Sequence, residues 1–283
     1  MKKLVVIAVV LAAISGNAMA TALIGRSATV TKFLQVFGWA NFGYNQTALI
    51  YDWGTKKYET LGVLTPTKTT SCDLTAAVGL LGNVDLNLVA PLAMKQSGEA
   101  KANGLGDVMV YARWGVLQTS TLPVKAALIV GANLPTTDTA APKAVRLGDR
   151  TTDIGIGASV TTVSFFGFAA HARAAYWLNG KVPGAEKKIG NMVEYNVTLD
   201  YSVTKALTPE LAVTGFSRAQ DELGGVKLAD SEASQHMSSV LLIWRPIPML
   251  VVRPKVALPL TFVSKGGTFA NVYGGLDVWV FLP

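Results

Sequence analysis

The residues able to do chemistry fall into a few groups. Gly104-Leu105-Gly106-Asp107 and Gly155-Ile156-Gly157 have the glycine spacing of a phosphate-cradling turn. Such a turn works where backbone N–H groups at a strand-to-helix junction converge on an anion. His236-Met237-Ser238 sets an imidazole two residues from a hydroxyl, the partnership a serine nucleophile needs. Arg253 and Lys255 share one parity, Arg245 precedes them across a short turn, and Arg113 and Lys125 lie on another hairpin. Either basic set would draw in a carboxylate or a phenolate. Cys72 is alone, and His171 and His236 are the only histidines. No spacing of His, Cys, Asp and Glu matches a metal site, so neither metal nor cofactor is expected.

Which chemistry survives depends on the elements that carry these residues. The chain opens with Lys2 and Lys3, an apolar run from Leu4 to Ile14, and Ala18-Met19-Ala20. That is the pattern of a secretory signal peptide, so residues 1–20 are expected to be cleaved. Residues 21–30 are then an N-terminal periplasmic segment, and residues 31–283 remain for the fold. An exported chain held by disulfides would carry more than one cysteine.

Hydrophobic residues make up 50% of the chain and charged residues only 15%, yet no later stretch is an uninterrupted apolar run. The nearest, 240–251, is broken by Arg245, Pro246 and Pro248. Dispersed apolar residues at this density are the mark of a membrane β-barrel, which crosses lipid on alternating strands. Alternating segments fall near 31–43, 68–80, 84–95, 105–118, 123–135, 150–162, 167–179, 191–203, 209–219, 237–245, 250–262 and 269–281, giving 12 strands. Their connections alternate long and short, as in outer-membrane barrels. Within the first long one, 44–67, Leu49-Ile50-Tyr51 reads as extra strand. Both glycine motifs therefore lie in strands, and Gly104 and Gly106 serve as a turn into the wall rather than a phosphate cradle. An even number of strands closes the sheet, which lipid demands because an unpaired edge cannot be satisfied there. Trp114 and Trp244 fall toward the short-turn end, and Phe42, Tyr176 and Tyr195 toward the loop end, as interfacial girdles.

The parity of each strand places its charges on the face opposite the apolar one, hence in the lumen. Asp73, Asp85, Asp107, Asp153, Glu194, Asp200, Glu210 and Asp277 are matched by Lys95, Arg113, Lys125, Arg173, Arg218, Arg245, Arg253 and Lys255, with His171 and Tyr111 beside them. Equal numbers of each sign predict cross-linking ion pairs and a narrow lumen, or one blocked by the N-terminal segment or an inward loop. A wide charged pore would show one sign in excess.

Three motifs occur in order: NGLGDVMVYAR at 103–113, GANLPTTD at 131–138 and LGDRTTDIGIGAS at 147–159. On these the chain resembles the outer-membrane family named for the meta-cleavage pathway of phenol degradation, over roughly residues 30–282. Pro135-Thr136-Thr137 and Asp149-Arg150 depart from its pattern. The resemblance implies an outer-membrane location and uptake of aromatic or other apolar compounds, and it brings no catalytic residues.

The expectation is therefore a closed antiparallel all-β barrel of about 12 strands in the outer membrane of a Gram-negative bacterium, passing or binding small apolar or aromatic solutes. Its partners are outer-membrane lipid, a small-molecule solute and the barrel-assembly machinery. Scattered cations without a basic run exclude nucleic acid. A structural or adhesion barrel with a closed lumen is the second reading. An outer-membrane lipase using His236 and Ser238 is the third, lacking a third group to orient the histidine.

Overall fold

The structure, a computed structural model, describes residues 28–60, 66–118, 123–137, 145–148, 150–162 and 165–281. The expected signal peptide lies outside the described residues. Twelve staves form the wall: β1 (Val36–Asp52), β2 (Thr67–Gly79), β3 (Val84–Ser97), β4 (Val108–Leu117), β5 (Val124–Leu134), β6 (Asp153–Thr162), β7 (Phe168–Leu178), β8 (Met192–Tyr201), β9 (Leu207–Arg218), β10 (Ala233–Ile247), β11 (Leu250–Pro259) and β12 (Thr268–Phe281). Each pairs antiparallel with the next, and β12 pairs with β1 from Phe37↔Phe281 to Ile50↔Thr268, which closes the sheet. No helix among the described residues is long and apolar enough to cross a membrane; the crossing is made by strands.

The reason for a barrel in lipid rather than a soluble sandwich is visible in β8. Its sequence alternates strictly, and Glu194, Thr198 and Asp200 are buried while Val193, Val197 and Leu199 are exposed. A water-soluble strand would reverse these faces. The same inversion leaves Leu88, Leu128, Ile156, Leu211, Val240 and Val256 on the outer surface. Trp114, Trp244, Phe168 and Tyr201 are exposed near the short-turn end and Tyr176 near the loop end, at the levels where amphipathic rings meet headgroups. Phe42 does not join them. It is only 2% exposed, flanked in register by Cys72 and Leu276.

Four expected boundaries move, two on β1 and two around the β3–β4 connection. The wall begins at Val36 rather than residue 31, because Leu34 takes a positive φ of 60° and Gln35 N–H turns back onto Lys32 O. The strand then runs on to Asp52, and Lys57–Thr60 pairs with its upper end, so much of 44–67 is hairpin. Leu49-Ile50-Tyr51 lies within it, as its apolar character implied. Likewise β3 continues to Ser97 and turns at Gly98 into the strand Ala100–Leu105. Gly106 and Asp107 interrupt the path into β4, beside Pro91, whose carbonyl accepts from Gly106 N–H. Proline has no N–H to give back, so the ladder breaks there. Gly104 and Gly106 mark this irregularity in the wall, not the loop turn.

Candidate functional site

The lumen is lined by the inward parity of the staves. The sequence-derived lining residues fall into three zones. At the upper mouth, Lys95 Nζ donates to Arg146 O at 2.7 Å, and Asp107 accepts from Thr137 Oγ1 and from Arg150 N–H. Asp153 accepts from Asn133, Thr151 and Gly180 N–H. These contacts tie residues 145–148 and Arg150 across the rim, and Val145 is fully buried there.

Below the rim, charges are paired around the wall. Arg113 forms two hydrogen bonds with Asp85, from Nε to Oδ1 at 2.9 Å and from Nη2 to Oδ2 at 2.5 Å, a bidentate geometry suited to guanidinium. Arg173 meets Glu194 at 3.0 Å, and His171 Nε2 lies 3.2 Å from Asp200 Oδ2. The densest knot is Asp277, which accepts from Arg253 at 2.7 Å and from Lys255 at 2.9 Å. Lys255 also donates to Asn41 Oδ1, and Glu210 lies 3.6 Å from Arg253. Buried charges persist only when paired and hydrogen-bonded. Of the two basic sets, only Arg253 and Lys255 converge, on Asp277; the other members are held by separate contacts. Arg245 reaches Thr208 Oγ1 at 3.4 Å, apart from Arg253 and Lys255. Arg113 is held by Asp85, while Lys125 reaches Thr29 Oγ1 at 3.4 Å.

The lower mouth is crossed by residues 28–35. Thr31 N–H donates to Asp85 Oδ2 at 2.7 Å, Ala28 N–H to Thr161 Oγ1 at 2.8 Å, and Val30 N–H to Gln118 Oε1 at 3.4 Å. Gln118 Nε2 donates to Ala28 O. Ala28 and Val30 pack on Ala127 inside the wall. Residues 28–30, placed by sequence in the periplasm, lie in the barrel.

Parity of charges missed the apolar part of the lumen. Val89, Met109, Tyr111, Ile129, Ala175 and Trp177 form one buried cluster with Met192 against it. Their rings fit because glycines face them. A Cβ on Gly155 would stand 2.6 Å from the Trp177 ring, and one on Gly131 would stand 2.9 Å from Tyr111 Cβ. Across the lumen Met237, Ala257 and Phe269 make a second cluster, with Tyr58 and Tyr273 packed against it. The signal in sequence was Gly131, Gly155 and Trp177 on the inward parity of β5, β6 and β7.

His236 does not meet Ser238. Its ring faces outward from β10, with Nε2 3.0 Å from Ser234 Oγ and Nδ1 2.7 Å from Tyr195 Oη. Among the described residues no group of His, Cys, Asp and Glu is arranged to hold a metal ion.

In the external loops Asp221 accepts from Gly190 N–H at 3.0 Å and pairs with Lys187 at 2.8 Å. Burial alone would raise its pKa. The Lys187 and Gly190 bonds and the Arg218 charge outweigh it and hold the carboxyl below its ordinary value.

A family model described as "Putative MetA-pathway of phenol degradation" matches residues 41–255. No curated protein matches the chain. Among solved structures, the COG4313 outer membrane channel from Pseudomonas putida F1 superposes with a TM-score of 0.79 at 12% identity, covering 92% of this chain and 100% of that one. The NanC porin superposes at 0.53 with 9% identity, covering 87% of this chain and 100% of that one. A deltaS2 mutant of the TodX monoaromatic hydrocarbon channel superposes at 0.50 with 7% identity and 96% coverage of each chain. These likenesses are of fold: an outer-membrane β-barrel.

Proposed function

The chain belongs to the MetA-pathway family of phenol degradation, and from that premise we propose that its barrel is a passive outer-membrane conduit for small aromatic or apolar solutes. It works without energy input and without chemistry on the solute. The observation that carries this reading is the apolar cluster of Val89, Met109, Tyr111, Ile129 and Trp177 on the lumen wall. A water-filled pore lined for polar solutes has no use for such a surface, whereas an aromatic ring gains from it about 25 cal/mol per Å² of apolar area removed from water. One protein of similar fold is a monoaromatic hydrocarbon channel, which supports this class of solute. The sequence-derived charges flank this path: Lys95, Asp107 and Asp153 at the upper mouth, and the Asp277 knot with Arg253 and Lys255 on the wall.

Passage requires the lower mouth to yield, and the N-terminal segment is the part that can. Gln118 holds it through Ala28 and Val30. The test is flux into vesicles carrying the full chain. Toluene or phenol is expected to enter faster than into empty vesicles, and sugars of similar mass are not. Gln118→Ala is expected to raise aromatic entry several-fold while unboiled protein keeps its fast migration on gels. No entry of either solute class, in wild type and variant alike, would favour the second reading, a structural barrel with a closed lumen. That reading has its own observation in the paired charges and crossed mouths.

A further inference from the structure

We propose that the outer wall carries a separate site for acyl transfer, a Ser234–His236–Tyr195 relay acting on the carboxylic ester of a membrane lipid. Ser234 and His236 lie two apart on β10, on the face that also presents Val240 and Trp244 to lipid. Ser234 Oγ is 3.0 Å from His236 Nε2, and Tyr195 Oη is 2.7 Å from His236 Nδ1. This is the nucleophile–base–orienter order that activates a serine. Tyr195 comes from β8, two staves away, and reaches His236 over β9 because Gly215 stands between them in register. A Cβ on Gly215 would collide with His236 Nδ1 and lie 2.9 Å from Tyr195 Oη.

A groove lies beside the serine. Its volume is about 520 Å³, and its lining includes Tyr176, Val193, Ser217, Arg218, Glu232 and Lys265, within the size range of ligand sites. Ser217 is the in-register neighbour of Ser234, and Lys265 is bridged to Ser234 through the backbone. The groove thus runs past the strand neighbours of Ser234 rather than through the serine itself, and its lining is apolar at Val193 and cationic at Arg218 and Lys265, which suits a lipid chain next to an anionic headgroup. Lys265 is half exposed and sits 3.8 Å from Glu232 at the groove's edge.

The chemistry uses the tautomer in which His236 Nδ1–H donates to Tyr195 Oη. Ser234 Oγ bonds to the acyl carbon as its proton passes to Nε2. That proton leaves on the alcohol oxygen as the ester C–O bond breaks. Water at the membrane surface then attacks the acyl-serine and gives a proton to Nε2. Ser234 leaves the acyl group, takes that proton back, and the carboxylic acid departs. Ser234 and His236 touch reacting atoms, and Tyr195 is a positioning residue.

The site is independent of the conduit reading, since it faces lipid and not lumen. The test uses the full chain folded in phosphatidylethanolamine and phosphatidylglycerol vesicles, with a fluorophosphonate as serine probe and fatty-acid release as the activity. Wild type is expected to be labelled on Ser234 and to release fatty acid. Ser234→Ala is expected to lose both, and Ser238→Ala to lose neither. Tyr195→Phe keeps the ring but lacks the oxygen that accepts from Nδ1, so release is expected to fall roughly 10- to 100-fold, within the range of acid–base assistance. Its pH–rate profile should also shift, which a purely structural role would not produce. Fast migration of each unboiled variant, and unchanged aromatic flux, would show the barrel intact. Absence of labelling in wild type, or labelling and release that survive Ser234→Ala, overturns the proposal. Hydrolysis of a soluble butyrate ester without fatty-acid release overturns the assignment to lipid.

Discussion

Around Asp277 the lumen is closed by charges that require one another, and around Trp177 it is closed by rings lying on glycines. The charged region couples β1, β9, β11 and β12 through Asn41, Glu210, Arg253, Lys255 and Asp277. The apolar region couples β3, β4, β5 and β7 through Val89, Met109, Tyr111, Ile129 and Trp177, with Gly155 of β6 beneath the Trp177 ring. The two fail differently. A buried ion pair that loses one partner leaves an uncompensated charge, so its failure is abrupt. A ring on a glycine bed fails by overpacking or by leaving a void, and its neighbours share the strain. A conduit gains from having both: one region that sets the shape of the wall, and one that a solute can displace.

Asp277→Ala is the hardest blow to the charged region. Arg253 would keep Glu210 at 3.6 Å, and Lys255 would keep the neutral Asn41 oxygen. Removing one partner of a buried pair costs about 3–5 kcal/mol. We expect a loss of that order in guanidinium unfolding followed by heat-modifiable migration. Asp277→Leu combined with Lys255→Met removes both members of the Asp277–Lys255 pair, leaves Arg253 to Glu210, and should recover much of it. If the single variant is as stable as wild type, the knot does not hold the wall, and the contrast between the regions collapses.

Gly155→Ala probes the apolar region more gently. The added methyl would meet the Trp177 ring at 2.6 Å, far inside contact distance. Overpacking of this kind costs about 1–3 kcal/mol. The ring should tilt, so a change in tryptophan emission is expected together with altered aromatic flux. Six tryptophans emit, and a parallel Gly155→Ala change on a Trp177→Phe background isolates this one. Unchanged emission and stability would mean that the ring does not rest on the glycine in the membrane.

Much of this was legible in the sequence. Strict alternation in 192–203 separated two faces, and the shared parity of Asp85, Arg113, Glu194 and Asp277 marked the lumen. Both follow from the two-residue period of a strand. The path of residues 28–35 was not legible, because hydrogen bonds to Asp85 and Thr161 decide it and both are distant in the chain. The apolar lumen was hidden because period-two reasoning takes apolar residues as lipid-facing; Trp177 and Met109 sit on the polar parity. Ser234 and Ser238 are indistinguishable by sequence, since both lie two residues from His236. Which rotamer the histidine takes depends on Tyr195, two staves across, and on the room left by Gly215.

The external loops offer the mildest test, an ion pair near water set against the ion pairs of the lumen. Asp221 is nearly buried, and Lys187, its partner at 2.8 Å, is about one-third exposed. Its folded pKa is depressed below the ordinary carboxylate value. The contribution is therefore complete above the unfolded pKa of about 4, and it is lost as pH falls through the lower folded value. Asp221→Asn removes the charge at every pH. The difference between wild type and Asp221→Asn should be present at pH 7 and vanish near pH 2. Pairs with one partner in solvent are worth roughly 0–1 kcal/mol, so the readout is local: protease cleavage at Lys187 or Lys227 should rise in the variant at pH 7 with no shift in global unfolding. A global shift as large as that expected for Asp277→Ala would show that water does not separate the loop pair from the lumen pairs, and that burial is not what makes the Asp277 knot strong.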